Sequence, residues 1–307
     1  MINVLLFLIG LFVVIAVGIM TYRLVYDNET YPDESIVIQW DRNSIPMVVM
    51  QVKESQSNNK MSQIPVVFDT GSSSILLSSC ECITCEEKAC VPITVENAKL
   101  KKSYATQTDT TGVVNCDIAL GSTLVEGITV DISMERNRSV LREYASHYSI
   151  LGMDRNSSLL NRMKGIDWVS INMRNKNHSY VELLPSLTYA EIQHRSKCDS
   201  FAKFSMTKES TGLIESKCMV RCDGQEINCT VIFDIGSNYN FTNGDLYKHI
   251  NGKKLNISQG TESFQMSKAK ALHSEAIGTD CLLIGTLALK GCMLAFSPSR
   301  NLVVLCR

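Results

Sequence analysis

Val66-Val67-Phe68-Asp69-Thr70-Gly71-Ser72-Ser73 and Val231-Ile232-Phe233-Asp234-Ile235-Gly236-Ser237-Asn238 repeat one pattern. Each is three apolar residues followed by Asp-x-Gly-Ser. Each is followed further on by two apolar residues and a glycine, Ile150-Leu151-Gly152 after the first and Leu283-Ile284-Gly285 after the second. A buried strand that ends in Asp presents its carboxylate at a rigid point. The glycine lets the chain turn with backbone amides close to that carboxylate. The serine can hydrogen-bond the carboxylate and hold its orientation.

Two such segments suggest chemistry that needs two acids. Two carboxylates held close cannot both ionise cheaply, so the pair retains one proton. The ionised member can act as general base on a water between them. The protonated member can hydrogen-bond and protonate a scissile carbonyl. Asp69 and Asp234 are the expected catalytic pair, and neither metal nor cofactor is required. The competing reading is an ordinary Asx-type turn after each strand.

Around these segments the chain reads as mostly β. Ile36, Ile38 and Trp40 alternate, as do Val48, Met50 and Val52, and short apolar runs recur at 231–233, 282–284 and 302–305. The stretch from Tyr104 to Leu120 reads as a hairpin with Gly112 and Gly121 as turn signals. Residues 159–168 read as a short helix. There is no βαβ rhythm and no Gly-rich phosphate loop.

The chain has 307 residues, 45% hydrophobic and 20% charged, with a formal net charge of -1. That balance supports a real core and argues against a nucleic-acid binder. Residues 2–21 carry no charge and would make about 30 Å of helix, the thickness of a hydrocarbon core. They read as a membrane anchor or as a cleaved signal peptide with Ala16-Val17-Gly18 as the processing site. Seven Asn-x-Ser/Thr sequons (Asn28, Asn137, Asn156, Asn177, Asn228, Asn240 and Asn256) and 12 cysteines all follow this span. Both features fit an oxidising lumen, and outweigh the single Arg23 that weakly favours the opposite orientation. The expected layout is 1–22 anchor or signal, 23–35 stalk, 36–173 N-terminal β lobe and 174–307 C-terminal β lobe.

Taken together, the chain resembles pepsin-type aspartic peptidases from about Tyr31 onward. Tyr104, Gly112 and Asp117 resemble the substrate-covering flap. Ser149 to Gly152 resembles the family's Asp-Gly-Ile-Leu-Gly. Residues 168–173 and 178–184 resemble the strand pair that crosses between lobes, and the stretch from Leu283 through Phe296 to Val304 the closing hairpin. Asp-Thr-Gly-Ser-Ser-Ser followed by Cys80, Cys82 and Cys85 is similar to the cysteine-rich branch that includes nepenthesins and plasmepsin V. The resemblance implies a bilobal acid protease fold with one Asp from each lobe. It implies endoproteolysis of extended peptide or protein substrates by a monomer. Thr70, Gly71, Ser72, Gly236 and Ser237 would orient the carboxylates, Thr70 bracing the lobe junction, and Tyr104 would close over the substrate.

The chain also departs from that pattern. Ile235 replaces the hydroxyl residue that usually helps brace the two loops, so the cleft is expected to lose rigidity. Leu76 stands where many members have a Trp. The flap is one residue longer between Tyr104 and Gly112, and Gly285 follows Asp234 by only 51 positions. No basic pro-segment separates the apolar span from the first strand. A second reading follows: an aspartic-peptidase-like fold without turnover, serving as a peptide- or protein-binding membrane glycoprotein.

Other chemistry is weaker. Cys82-x-x-Cys85 is metal-like, but no matching pair lies elsewhere, so disulfides are expected for Cys80, Cys82, Cys85 and Cys90 and likewise for Cys218, Cys222 and Cys229. The five histidines form no His-Glu-x-x-His. Asp109, Asp117 and Asp154 read as solvated turn residues, Asp117 alternatively as a brace at the base of the flap.

Overall fold

The computed structural model describes residues 31–55, 60–82, 90–95, 100–103, 107–138, 149–207, 212–275 and 277–307. The apolar span at 2–21, Asn28, Cys85 and Tyr104 lie outside them. Among the described residues no helix is long and apolar enough to cross a membrane.

The fold is mostly β, built on three sheets. The nine-stranded sheet holds β2 (Gln39–Trp40), β3 (Pro46–Glu54), β4 (Ser62–Asp69), β5 (Ile75–Ser79), β6 (Cys90–Val91), β7 (Leu100–Ser103), β8 (Gln107–Leu120), β9 (Thr123–Arg138) and β10 (Ser149–Gly152). The seven-stranded sheet holds β14 (Glu215–Cys222), β15 (Gln225–Phe233), β16 (Asn240–Thr242), β17 (Asn256–Gln259), β18 (Glu262–Gln265), β19 (Ala271–His273) and β20 (Cys281–Ile284). The six-stranded sheet takes β1 (Ile36–Val37), β11 (Trp168–Asn172), β12 (Tyr180–Leu184), β13 (Phe201–Ser205), β21 (Met293–Ser297) and β22 (Leu302–Cys306). The described residues also form three short α-helices, α1 (Tyr189–Ser196), α2 (Gly244–Ile250) and α3 (Thr286–Leu289).

In the nine-stranded sheet β3 pairs with both β4 and β8, which closes six strands into a ring, β3-β4-β10-β5-β9-β8. Alternate residues of these strands fill its interior: Val48, Met50 and Val52 from β3, Ile64, Val66 and Phe68 from β4, and Ile118 and Leu120 from β8 are all buried. Closure removes the exposed edges that a β sheet otherwise offers. Gly121 makes the β8–β9 turn with φ +60. Gly112 does not turn the chain. It lies inside β8, and a Cβ there would sit 2.3 Å from Val95 Cγ1, so close packing explains the glycine.

The two halves repeat one arrangement. β4 runs parallel to β10, with Asp69 opposite Gly152, and β5 flanks β10 antiparallel. β15 runs parallel to β20, and β16 flanks β20 antiparallel. In each half the chain leaves the Asp strand, loops around the end of the apolar-apolar-Gly strand and returns on its far side. The strands expected at 168–173 and 178–184 do pair, as β11 with β12. The boundary drawn at 173/174 therefore runs between two partners of the six-stranded sheet, and residues 34–307 form one compact unit. The helix expected at 159–168 is reduced to a single 3-10 turn, Leu160–Arg162, and Trp168 opens β11.

Disulfides join Cys80 to Cys90 and Cys198 to Cys306, and Cys82 is disulfide-bonded as well. The expectation of bridges through Cys218, Cys222 and Cys229 is corrected: these three, with Cys116, Cys281 and Cys292, are free thiols. Burial pushes the Cys116, Cys218 and Cys229 thiols up to about 12, which keeps them protonated and unreactive.

Candidate active site

Asp69 is the last residue of β4 and Asp234 follows directly on β15. Both are buried, at 9% and 6% exposure. Each carboxylate is held by its own loop in the same way. Gly71 N donates to Asp69 Oδ1 at 2.8 Å and Ser72 Oγ to Oδ2 at 2.6 Å. Gly236 N donates to Asp234 Oδ1 at 2.8 Å and Ser237 Oγ to Oδ2 at 2.6 Å. Both oxygens of each acid are thereby fixed before any ligand arrives.

The two loops face each other at the closest approach backbone permits. A Cβ on Gly71 would lie 2.7 Å from Asp234 Cγ, and one on Gly236 would lie 2.3 Å from Asp69 Oδ1. Each glycine thus makes room for the opposite carboxylate, which brings the two acids side by side. Burial, then the Asp69 charge, raises Asp234 well above the usual carboxylate range. A pair sharing one proton is the electrostatic result.

Thr70 spans the junction. Its hydroxyl donates to Phe233 O at 2.9 Å and accepts from Ile235 N at 3.0 Å. Ile235 is fully buried and has no hydroxyl to return the contact. Its carbonyl instead accepts from Thr286 Oγ1 at 2.6 Å.

The distal glycines share one cause. A Cβ on Gly152 would meet Ser74 O at 2.4 Å, and one on Gly285 would meet Tyr239 O at 2.3 Å. Each loop is threaded tightly across the neighbouring strand end: Met153 N donates to Asp69 O, and Thr286 N to Ser237 O, both at 2.7 Å.

Three residues support the site in roles that the sequence reading does not assign them. Thr286 follows Gly285 directly, so its position was available from the motif. Asn240 Oδ1 accepts from Gly285 N at 3.1 Å inside the protein. Asp154, two residues past Gly152, is 1% exposed and accepts from Ser73 Oγ at 2.5 Å and Asn156 N at 2.8 Å. Burial raises Asp154 above its ordinary value against the pull of those hydrogen bonds, with the Asp69 charge adding to the rise. Asp154 is therefore a buried clamp on the Asp69 loop and no solvated turn residue.

Asp109 is likewise fully buried, accepting from Ser133 Oγ at 3.0 Å. Asp117 is buried at 8% and accepts from Ser55 Oγ at 2.6 Å and Gly127 N at 3.0 Å, holding the bulge beside the β8–β9 turn. Those bonds hold its carboxyl below its ordinary value. Leu76 is fully buried in β5. The β7–β8 hairpin leads to Tyr104, which lies outside the described residues. Among the described residues no cluster of His, Cys, Asp and Glu could hold a metal ion. No family model matches the chain, and no curated protein matches it.

Proposed function

We propose that the chain is an aspartic endopeptidase with a bilobal, pepsin-like architecture, hydrolysing peptide bonds between Asp69 and Asp234. The observation that carries this reading is the interlock of the two loops: each Gly lies where a side chain would strike the opposite carboxylate. Two acids from sequence-distant strands, each oriented by one backbone N–H and one serine hydroxyl, form a preorganised acid–base pair.

Burial favours the shared proton on Asp234, which would donate to the scissile carbonyl while its partner accepts a proton from the attacking water. On collapse of the tetrahedral intermediate the C–N bond breaks, Asp69 passes the proton it took from water to the leaving amine, Asp234 regains its proton from a hydroxyl of the intermediate, and the water's oxygen stays in the new carboxyl group, so no covalent enzyme species is formed. Substrates would be polypeptides in extended conformation, bound much as an added strand. The sequons, the bridges Cys80–Cys90 and Cys198–Cys306, and the apolar stretch 2–21 support a lumenal domain of the secretory pathway, tethered or released.

One observation favours a second reading. The Thr70 brace is one-sided because Ile235 replaces a hydroxyl residue. A loosened junction fits a fold that binds peptides without turnover. A peptide-library digest with the full chain, Asp69→Ala and Asp234→Ala separates them. Cleavage lost in both variants supports the peptidase. Peptide retention without cleavage from acid to neutral pH supports the binding protein.

A further inference from the structure

The seven sequons are identical in their local code and very different in their surroundings. Asn156, Asn177 and Asn228 are exposed. Asn177 sits on the 3-10 turn Lys176–His178 and Asn228 on the outer run of β15. Asn228 also lines an open groove of about 590 Å³ with Lys217, Ser258, Gln259 and Asp280, so a sugar leaving this amide meets polar neighbours and solvent.

Asn240 is the opposite case. It is 1% exposed, its Oδ1 accepts from Gly285 N, and its Nδ2 is shut off from solvent. The neighbouring backbone leaves no space: even a methyl on Gly285 would strike Tyr239 O at 2.3 Å. A saccharide on Nδ2 would have to displace the loop that carries Asp234.

We infer that the folded protein carries N-linked glycans at Asn156, Asn177 and Asn228 and none at Asn240, whose amide serves the candidate site instead. The donor is a lipid-pyrophosphate-linked oligosaccharide. Nδ2 bonds to the anomeric carbon, the bond from that carbon to the pyrophosphate breaks, the pyrophosphate leaves with the electron pair, and the amide releases one proton. Transfer occurs on extended chain, before folding hides anything. A chain modified at Asn240 therefore cannot complete the fold and is lost from the native population. Asn256 is half-buried and is not part of the assignment.

This inference rests on the lumenal placement proposed above, and the test separates the two. The full chain, extended after Arg307 by an Asn-Gly-Thr acceptor, is expressed in a eukaryotic secretory host. The folded fraction is treated with peptide-N-glycosidase in ¹⁸O-water, and peptide masses report each Asn converted to labelled Asp. Label at Asn156, Asn177 and Asn228 without label at Asn240 is the expected result. Label at Asn240, or any of the three unlabelled on a chain whose added acceptor is labelled, overturns the assignment. A bare added acceptor together with bare sites overturns the lumenal placement and the assignment with it, and leaves the peptide-cleavage test of Asp69 and Asp234 unaffected.

Discussion

Thr70 and Ile235 meet in a contact with one hydroxyl: the Thr70 side chain accepts from Ile235 N at 3.0 Å while donating to Phe233 O at 2.9 Å, and the Ile235 side chain has no hydroxyl to make the matching bond. Thr70→Val would leave a buried N–H and a buried carbonyl unpaired, at a cost of about 1–3 kcal/mol for each. Chemical denaturation should register that loss together with disappearance of peptide cleavage. Ile235→Thr restores a hydroxyl at the matching position of the second loop, and turnover should rise several-fold at constant KM. Unchanged turnover in Ile235→Thr would show that the missing hydroxyl does not limit the rate.

Gly236→Ala tests the interlock directly. The new Cβ would sit 2.3 Å from Asp69 Oδ1, so one loop must retreat. A shift of about an ångström costs on the order of 10²-fold in rate. We expect kcat to fall by at least about that factor with the circular dichroism spectrum retained. Near-wild-type turnover would mean that the loops slide apart freely.

Asp234 links the site to pH. Its carboxyl is raised by burial and by Asp69, so the native state binds more protons than the unfolded chain above the unfolded value of about 3.9. The stability this group contributes is present below that value and is lost as pH rises through the raised native one. Asp234→Asn carries no charge to bury. Its Tm relative to the native sequence should therefore climb as pH rises from about 4 through the neutral range. A difference that stays flat across that range would rule out the raised carboxyl.

Asp154→Ala removes the acceptor of Ser73 Oγ and Asn156 N. Two donors then lose a buried partner, and unfolding free energy should drop by roughly 1–3 kcal/mol. Because the clamp acts on the loop that carries Ser72, kcat should fall more than KM rises, and Ser73→Ala should reproduce part of the effect. Equal changes in kcat and in general stability across unrelated core variants would reduce Asp154 to packing.

The Cys198–Cys306 bridge joins residues 108 apart and ties β22 to the segment that opens β13. Cys198→Ser should cost about 2–5 kcal/mol, within the range for native bridges that close long loops. Thermal unfolding with and without reductant measures it. A Tm that ignores both the substitution and the reductant would refute the claim.

The site was legible because its logic is local. Apolar strand, Asp, Gly and Ser are contiguous, and each does the work its chemistry suggests. The reason for the glycines was not legible: Gly71 and Gly236 are fixed by a carboxylate about 165 positions away, which no window of sequence contains. The same holds for Asn240, which carries a glycosylation code and acts as a buried acceptor. Asp109 and Asp154 read as solvated turn residues because acidic side chains are seldom fully buried. Their partners, Ser133 and Ser73, come from other strands and loops. Cys218 and Cys229 face each other across β14 and β15 as free thiols, a state that cysteine spacing alone could not indicate.

The position of β22 has a consequence for biosynthesis. Residues 302–306 lie between β21 and β13 in the six-stranded sheet, paired on both sides. β13 emerges from the ribosome about a hundred residues before β22, its one ladder partner among the described residues, is translated. Until then it is an unprotected edge of the kind that nascent chains aggregate through. Completion of this sheet thus waits for a strand about a hundred residues downstream, and a nonsense codon a few positions upstream of Cys306 would leave β13 without that partner however well the two Asp loops had already formed.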